Sequence, residues 1–140
     1  MTPPLLSPFK QGEELYLYLA VSPTAIRSVL VREEDRRQLP VYCTSRAFRG
    51  TEERYPSMEK LAFALVTVAT KLRPYFQAHS VIVLTNHPLR KVMNKPNAVG
   101  RLIQWSIELS KFDIDYRSRT AIKAQALADF VVEFFTQIST

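Results

Sequence analysis

Few side chains in this sequence could do chemistry, and where they fall matters more than how many there are. Glu59 precedes Lys60 at the start of an apolar run. Asn86 and His87 follow Val81-Ile82-Val83-Leu84-Thr85, and Asp129 lies near the C-terminus. A carboxylate offers charged oxygens to a cation, whereas an Asn offers only a neutral carbonyl. Hydrolysis of a phosphodiester by two divalent ions needs several carboxylates converging on one point, to hold the ions roughly 4 Å apart and neutralise their charge. His87 beside Asn86 invites a role as base, but its ordinary reading is a residue that ends a strand. His79 has no partner recognisable in the sequence. The single cysteine, Cys43, excludes an internal disulfide and any thiolate cluster.

Cations outnumber anions. Nineteen Lys and Arg against thirteen Asp and Glu give a net charge of +6. Lys71, Arg73, Arg90, Lys91, Lys95 and Arg101 fall close together in the middle of the chain. Taken singly each is a solvated surface charge; together they are a candidate phosphate-backbone track. No interleaved aromatic platform accompanies them. No apolar run reaches the roughly 18 residues of a membrane span, and the N-terminus lacks the charged-then-apolar pattern of a signal peptide. The expectation is an intracellular, reducing compartment, cytoplasm or nucleus, with no membrane partner.

The elements that must position these residues are legible. Residues 1–14 hold three prolines and no periodicity, and are read as a linker. Residues 15–22 alternate Leu15, Leu17, Leu19 and Val21 against Tyr16, Tyr18, Ala20 and Ser22, a strand of period two. Strands over 25–33 and 39–45 follow, joined by the charged tip Glu34-Asp35-Arg36-Arg37, and residues 46–54 form a basic loop. From Ser57, expected as the N-cap, Leu61, Ala64, Leu65, Val68 and Leu72 form one helical stripe that runs up to a break at Pro74. Glu59 reads as a first-turn surface charge. The apolar run 81–85 is a strand covered on both faces. A short helix over 89–93 is next, then a helix with the seam Leu102, Trp105, Leu109 and Phe112. An edge strand around Ile114 and Tyr116 precedes a last helix with Ala124, Leu127, Ala128, Val131 and Phe135 inward.

Several motifs in this order carry a family likeness. Tyr55, Glu59, Lys60, Ala64, the Arg73-x-Tyr75 pair, Thr85-x-His87-x-Leu89, the run from Arg101 to Arg117 and the closing Ala128-Asp129 resemble the ribonuclease H domain of gypsy-type LTR-retrotransposon reverse transcriptase polyproteins. The resemblance covers about Leu15 to Asp129 and implies an α/β ribonuclease H-like fold. Its sheet would be mixed and five-stranded, three antiparallel strands then parallel ones, with flanking helices; the domain would span residues 15–136. In that family the region before the first strand joins the polymerase to this domain.

The resemblance also implies where the acids of an Mg²⁺-dependent hybrid ribonuclease would stand. The first-strand acid falls on Ala20, the helix acid on Leu61, the strand-end acid on Asn86 and the last on Asp129, so only Asp129 is acidic. Glu59 lies two residues before Leu61, about 200° around a helix, and points away from that position. No intact catalytic set and no metal site are expected. The leading expectation is a catalytically silent copy. It would be a tether or spacer beside a reverse transcriptase, or beside a second ribonuclease H domain further downstream, with non-specific contact to RNA·DNA hybrid. The alternatives are an active hybrid ribonuclease with displaced ligands and a domesticated protein-interaction module.

Overall fold

The computed structural model describes residues 13–85 and 100–118. The expected short helix over 89–93 and the last helix lie outside these residues, as does most of the N-terminal linker. The described elements are β1 (Leu15–Val21), β2 (Ala25–Glu34), β3 (Arg37–Ala47), a 3-10 helix (Gly50–Arg54), α1 (Ser57–Lys71), α2 (Arg73–Ala78), β4 (Val81–Thr85), α3 (Gly100–Leu109) and β5 (Ile114–Ser118). The five strands form one sheet in the order β3-β2-β1-β4-β5. β1 pairs antiparallel with β2, and β2 with β3. β4 lies parallel to β1 and to β5. This is the expected mixed sheet, three antiparallel strands followed by parallel ones.

Strand alternation divides the sheet into two faces. Leu15, Leu17 and Leu19 join the α1 stripe in the main core, with Leu61, Ala64, Leu65, Val68 and Leu72 all at most 2% exposed. Each such leucine contributes on the order of 1.5–3 kcal/mol by leaving water. Tyr18, Val29, Val31, Ile82 and Leu84 form a second buried cluster, with Tyr16 and Cys43 against it. Every residue of β4 is buried, as its unbroken apolar run requires. Among the described residues no helix is long and apolar enough to cross a membrane.

Local structure departs from the sequence reading at several points. Pro56, not Ser57, holds the N-cap position of α1, and no side chain caps it. Pro74 does more than end α1: it sits in the first turn of α2, where its missing N–H costs nothing. The β2–β3 strands run to Glu34 and from Arg37, which leaves a two-residue turn. Its central residues, Asp35 (φ 53°) and Arg36 (φ 65°), both adopt the left-handed conformation that a tight hairpin needs. β3 carries a bulge: Leu30 pairs with Tyr42 and Val31 with Pro40, so Val41 is extra. Pro40 is tolerated because β3 is an edge strand. The supposed loop after β3 contains the 3-10 helix. His79 is buried and does have a partner: its Nδ1 lies 2.8 Å from the carbonyl oxygen of Glu13. Glu13 also pairs with Arg32 at 3.1 Å, which ties the start of the described chain to β2.

Candidate functional site

The C-terminal ends of the parallel strands β1 and β4 open at one end of the sheet. Ala20 is half-buried there, opposite Arg27 of β2 and two residues beyond the Tyr18–Leu84 pair. Thr85, the last residue of β4, is buried beside it in the sheet's interior. The first turn of α1 meets the same end. Lys60 Nζ donates to the Pro23 carbonyl at 2.8 Å and lies 5.1 Å from the Phe48 ring. A cleft of about 160 Å³ remains between Val21, Ser22 and Pro23 on one side and Ser57, Lys60 and Leu61 on the other. The turn that frames it is held by Ser22 Oγ, which accepts from the backbone N–H groups of Ala25 (3.0 Å) and Thr24 (3.3 Å).

Ala20 and Leu61 thus share one end of the sheet but not one face of β1. Alternation puts Ala20 with Tyr16 and Tyr18, whereas Leu61 packs with Leu15, Leu17 and Leu19. Their side chains have no lone pair to give a cation. At these two positions the donor chemistry does not fit Mg²⁺, which takes oxygen ligands. Among the described residues no group of three His, Cys, Asp or Glu side chains gathers as a metal cage would need. Asn86, His87 and Asp129 lie outside the described residues.

Glu59 is not the surface charge that its sequence position suggests. It is 9% exposed, and its Oε1 accepts from Arg101 Nη2 at 2.8 Å and Nε at 3.0 Å. The Arg101 guanidinium also lies 4.4 Å from the Tyr55 ring centroid. The cause is tertiary: α3 lies across the first turns of α1, and Trp105 closes an aromatic cluster with Tyr55 and Phe63 at 6.0 and 5.7 Å. Glu59 and Arg101 therefore join two helices.

The candidate cations divide in the same way. Arg73 reaches Glu108 at 3.3 Å and stands 5.8 Å from the Phe112 ring. Arg101 is held by Glu59. Lys71 is exposed at the end of α1, with no ion pair among the described residues. Arg90, Lys91 and Lys95 lie outside those residues. The structure adds two cations that the sequence reading left in a loop, Arg46 and Arg49. With Lys71 they line a second cleft of about 260 Å³ between α1 and β3, together with Ile26, Thr44, Ser45, Thr67 and Val68. Arg46 grips Glu52 with two hydrogen bonds (3.0 and 3.1 Å), which hold the Glu52 carboxyl below the usual carboxylate range. The same Glu52 accepts the backbone N–H of Arg49 at 2.9 Å. The sequence signal for this cleft was the density of arginines between 46 and 54, but only the fold brings Lys71 to them.

Comparison with known proteins gives this architecture a context. A family model described as the RNase H-like domain found in reverse transcriptase matches residues 10–112. The Retrovirus-related Pol polyprotein from transposon opus of Drosophila melanogaster is 29% identical over 93 residues, which are 65% of this chain and 9% of that protein. The foamy viral protease-reverse transcriptase in complex with dsDNA superposes with a TM-score of 0.62 at 19% identity, over 83% of this chain and 25% of that one. Its RNA/DNA hybrid complex gives a TM-score of 0.60 at 20% identity, over 77% of this chain and 15% of that one. At such identities the likeness to the solved structures is one of fold. The chain spans less than a tenth of the length of the curated relative it matches.

Proposed function

This chain belongs to the family of RNase H-like domains found in reverse transcriptase, and from that premise we propose that it is a catalytically silent, gypsy-type copy that binds RNA·DNA hybrid and spaces a polymerase from a downstream ribonuclease H domain. One observation carries the reading. The positions that the resemblance assigns to the first-strand and helix acids hold Ala20 and Leu61, and Leu61 is 2% exposed within the core. A two-metal hydrolysis would have to start from carboxylates. Here a methyl and an isobutyl group stand instead, so no catalytic step is assigned to these residues. The domain keeps its fold because the apolar replacement at 61 extends the α1 stripe. The net charge of +6 supports contact with a polyanion.

Incubating the chain with an RNA·DNA hybrid labelled on the RNA strand, in Mg²⁺ and separately in Mn²⁺, tests the proposal. The RNA should stay intact. Fluorescence anisotropy should show weak binding whose logarithm falls linearly with log salt. Chelator-sensitive cleavage abolished by Asp129→Ala would restore the ribonuclease reading. No binding at low salt would leave the protein-interaction reading.

A further inference from the structure

Neither Ala20 nor Leu61 lines the cleft between α1 and β3, and nothing in the proposed function assigns it a role. Among the described residues three cations line it, Arg46, Arg49 and Lys71, and no acid does. The charge of Arg46 is spent on Glu52. That leaves the exposed side chains of Arg49 and Lys71, neither in a salt bridge among the described residues, with the nearby Glu52 carboxylate drawing on part of the Arg49 charge. Arg49 is not loosely placed, because its backbone N–H is fixed by Glu52, which Arg46 in turn holds. The hydroxyls contribute less: Thr67 donates to the Phe63 carbonyl at 2.8 Å, and Thr44 shares its proton with Ser28 at 2.6 Å. Lys71 ends α1, where the helix dipole repels anions, so the two side-chain charges must supply the attraction. A volume of about 260 Å³ admits a tetrahedral oxyanion with a few waters, each taking roughly 30 Å³.

We propose that this cleft is an oxyanion site in which Arg49 and Lys71 grip one backbone phosphate of a nucleic-acid strand. The source of the phosphate rests on the nucleic-acid reading above; the oxyanion chemistry does not. Arg73 and Arg101, which the sequence offered for the same task, already carry carboxylate partners. The site therefore moves the expected phosphate contact from the α3 side of α1 to its β3 side.

The test uses the whole chain, isotope-labelled, and three proteins: wild type, Arg49→Gln/Lys71→Gln, and the charge-matched control Lys111→Gln/Arg117→Gln. Sodium phosphate titrated at constant ionic strength should shift the amide resonances of residues 44–49 and 67–71 in the wild type and the control, and not in the first variant. Against RNA·DNA hybrid, the first variant should lose about tenfold in affinity, the scale of one or two exposed charged contacts. The slope of log affinity on log salt should fall by about 1 for the one phosphate released. The site is overturned if phosphate shifts none of those amides, or if the first variant binds hybrid like the control. If phosphate titrates the cleft but the wild type ignores hybrid, the nucleic-acid reading falls and the site stands as one for free phosphate. Matching thermal melts of the three proteins show that folding is not the cause.

Discussion

Placing acids at the positions the resemblance names is the sharpest test of the proposed reading, because Ala20 and Leu61 share one end of the sheet but not one face of β1. The triple change Ala20→Asp, Leu61→Glu, Asn86→Asp rebuilds four acids with Asp129. Its cost without metal falls mainly on position 61. Leu61 is almost fully buried, so removing it forfeits roughly 2–3 kcal/mol of apolar burial. For a domain near this size that lowers Tm by about 4–12 °C. The loss stays near this lower scale because Leu61 also borders the 160 Å³ cleft, which lets a glutamate turn its carboxylate toward water. Ala20→Asp is cheap by comparison: it is half-buried and faces Arg27 across the β1–β2 ladder, an opposite-charge pair worth about 0.2–1 kcal/mol. Four carboxylates gathered without metal repel, which adds to the loss. If they converge, Mg²⁺ at a hundredfold excess over its dissociation constant returns about 2.7 kcal/mol. Differential scanning fluorimetry in chelator and in Mg²⁺ reads this directly, with hybrid cleavage as the second readout. The triple variant should melt low in chelator, recover most of the loss in Mg²⁺ and cut hybrid where the parent does not. A folded triple variant that gains nothing from Mg²⁺ and leaves hybrid intact refutes the assignment of Ala20, Leu61 and Asn86.

Three further outcomes follow from the described contacts. The Glu52 carboxyl is held below its usual range by hydrogen bonds from Arg46, so the stability it contributes is full above the unfolded carboxylate pKa near 4.3 and is lost as pH falls through its lower folded value. Glu52→Gln should flatten that acid limb of a urea-melt pH profile by about 0.2–1 kcal/mol, the scale of a partly exposed pair. Ser28→Ala alone should cost about 1–3 kcal/mol, because it strands the buried Thr44 hydroxyl now 2.6 Å away. Adding Thr44→Val should recover much of that cost in a double-mutant cycle by chemical denaturation. Arg36→Gly should raise stability by about 0.5–1 kcal/mol in the same assay, since Arg36 holds φ 65° in a two-residue hairpin turn where glycine is unstrained.

Much of the fold was legible because its signals are local. The alternation of Leu15, Leu17 and Leu19, the stripe from Leu61 to Leu72 and the unbroken run of β4 each name an element and the face it buries. A buried face is a property of periodicity, which the chain states in one dimension. Smaller devices were missed where one local rule beat another. Ser57 is a good capping residue, yet Pro56 takes the cap because α1 starts one residue earlier than the pattern suggested. Pro74 was read as a stop but opens α2, since proline suits a first turn as well as it breaks an interior.

That Ala20, Leu61 and Asn86 carry no charge is written in the sequence; that they stand where the family has acids is what the resemblance implies. What each remaining charge does was decided only by tertiary structure. Glu59, Arg101, Arg73 and His79 all looked solvated or solitary, yet partners 35 to 66 residues away in the chain claim them. The same folding leaves Arg49 and Lys71 on one cleft, without a salt bridge among the described residues. A side chain's charge is fixed by its chemistry, but whether that charge is free depends on which distant element is packed against it. Sequence spacing carries no information about that distance until the sheet and α1 have set it.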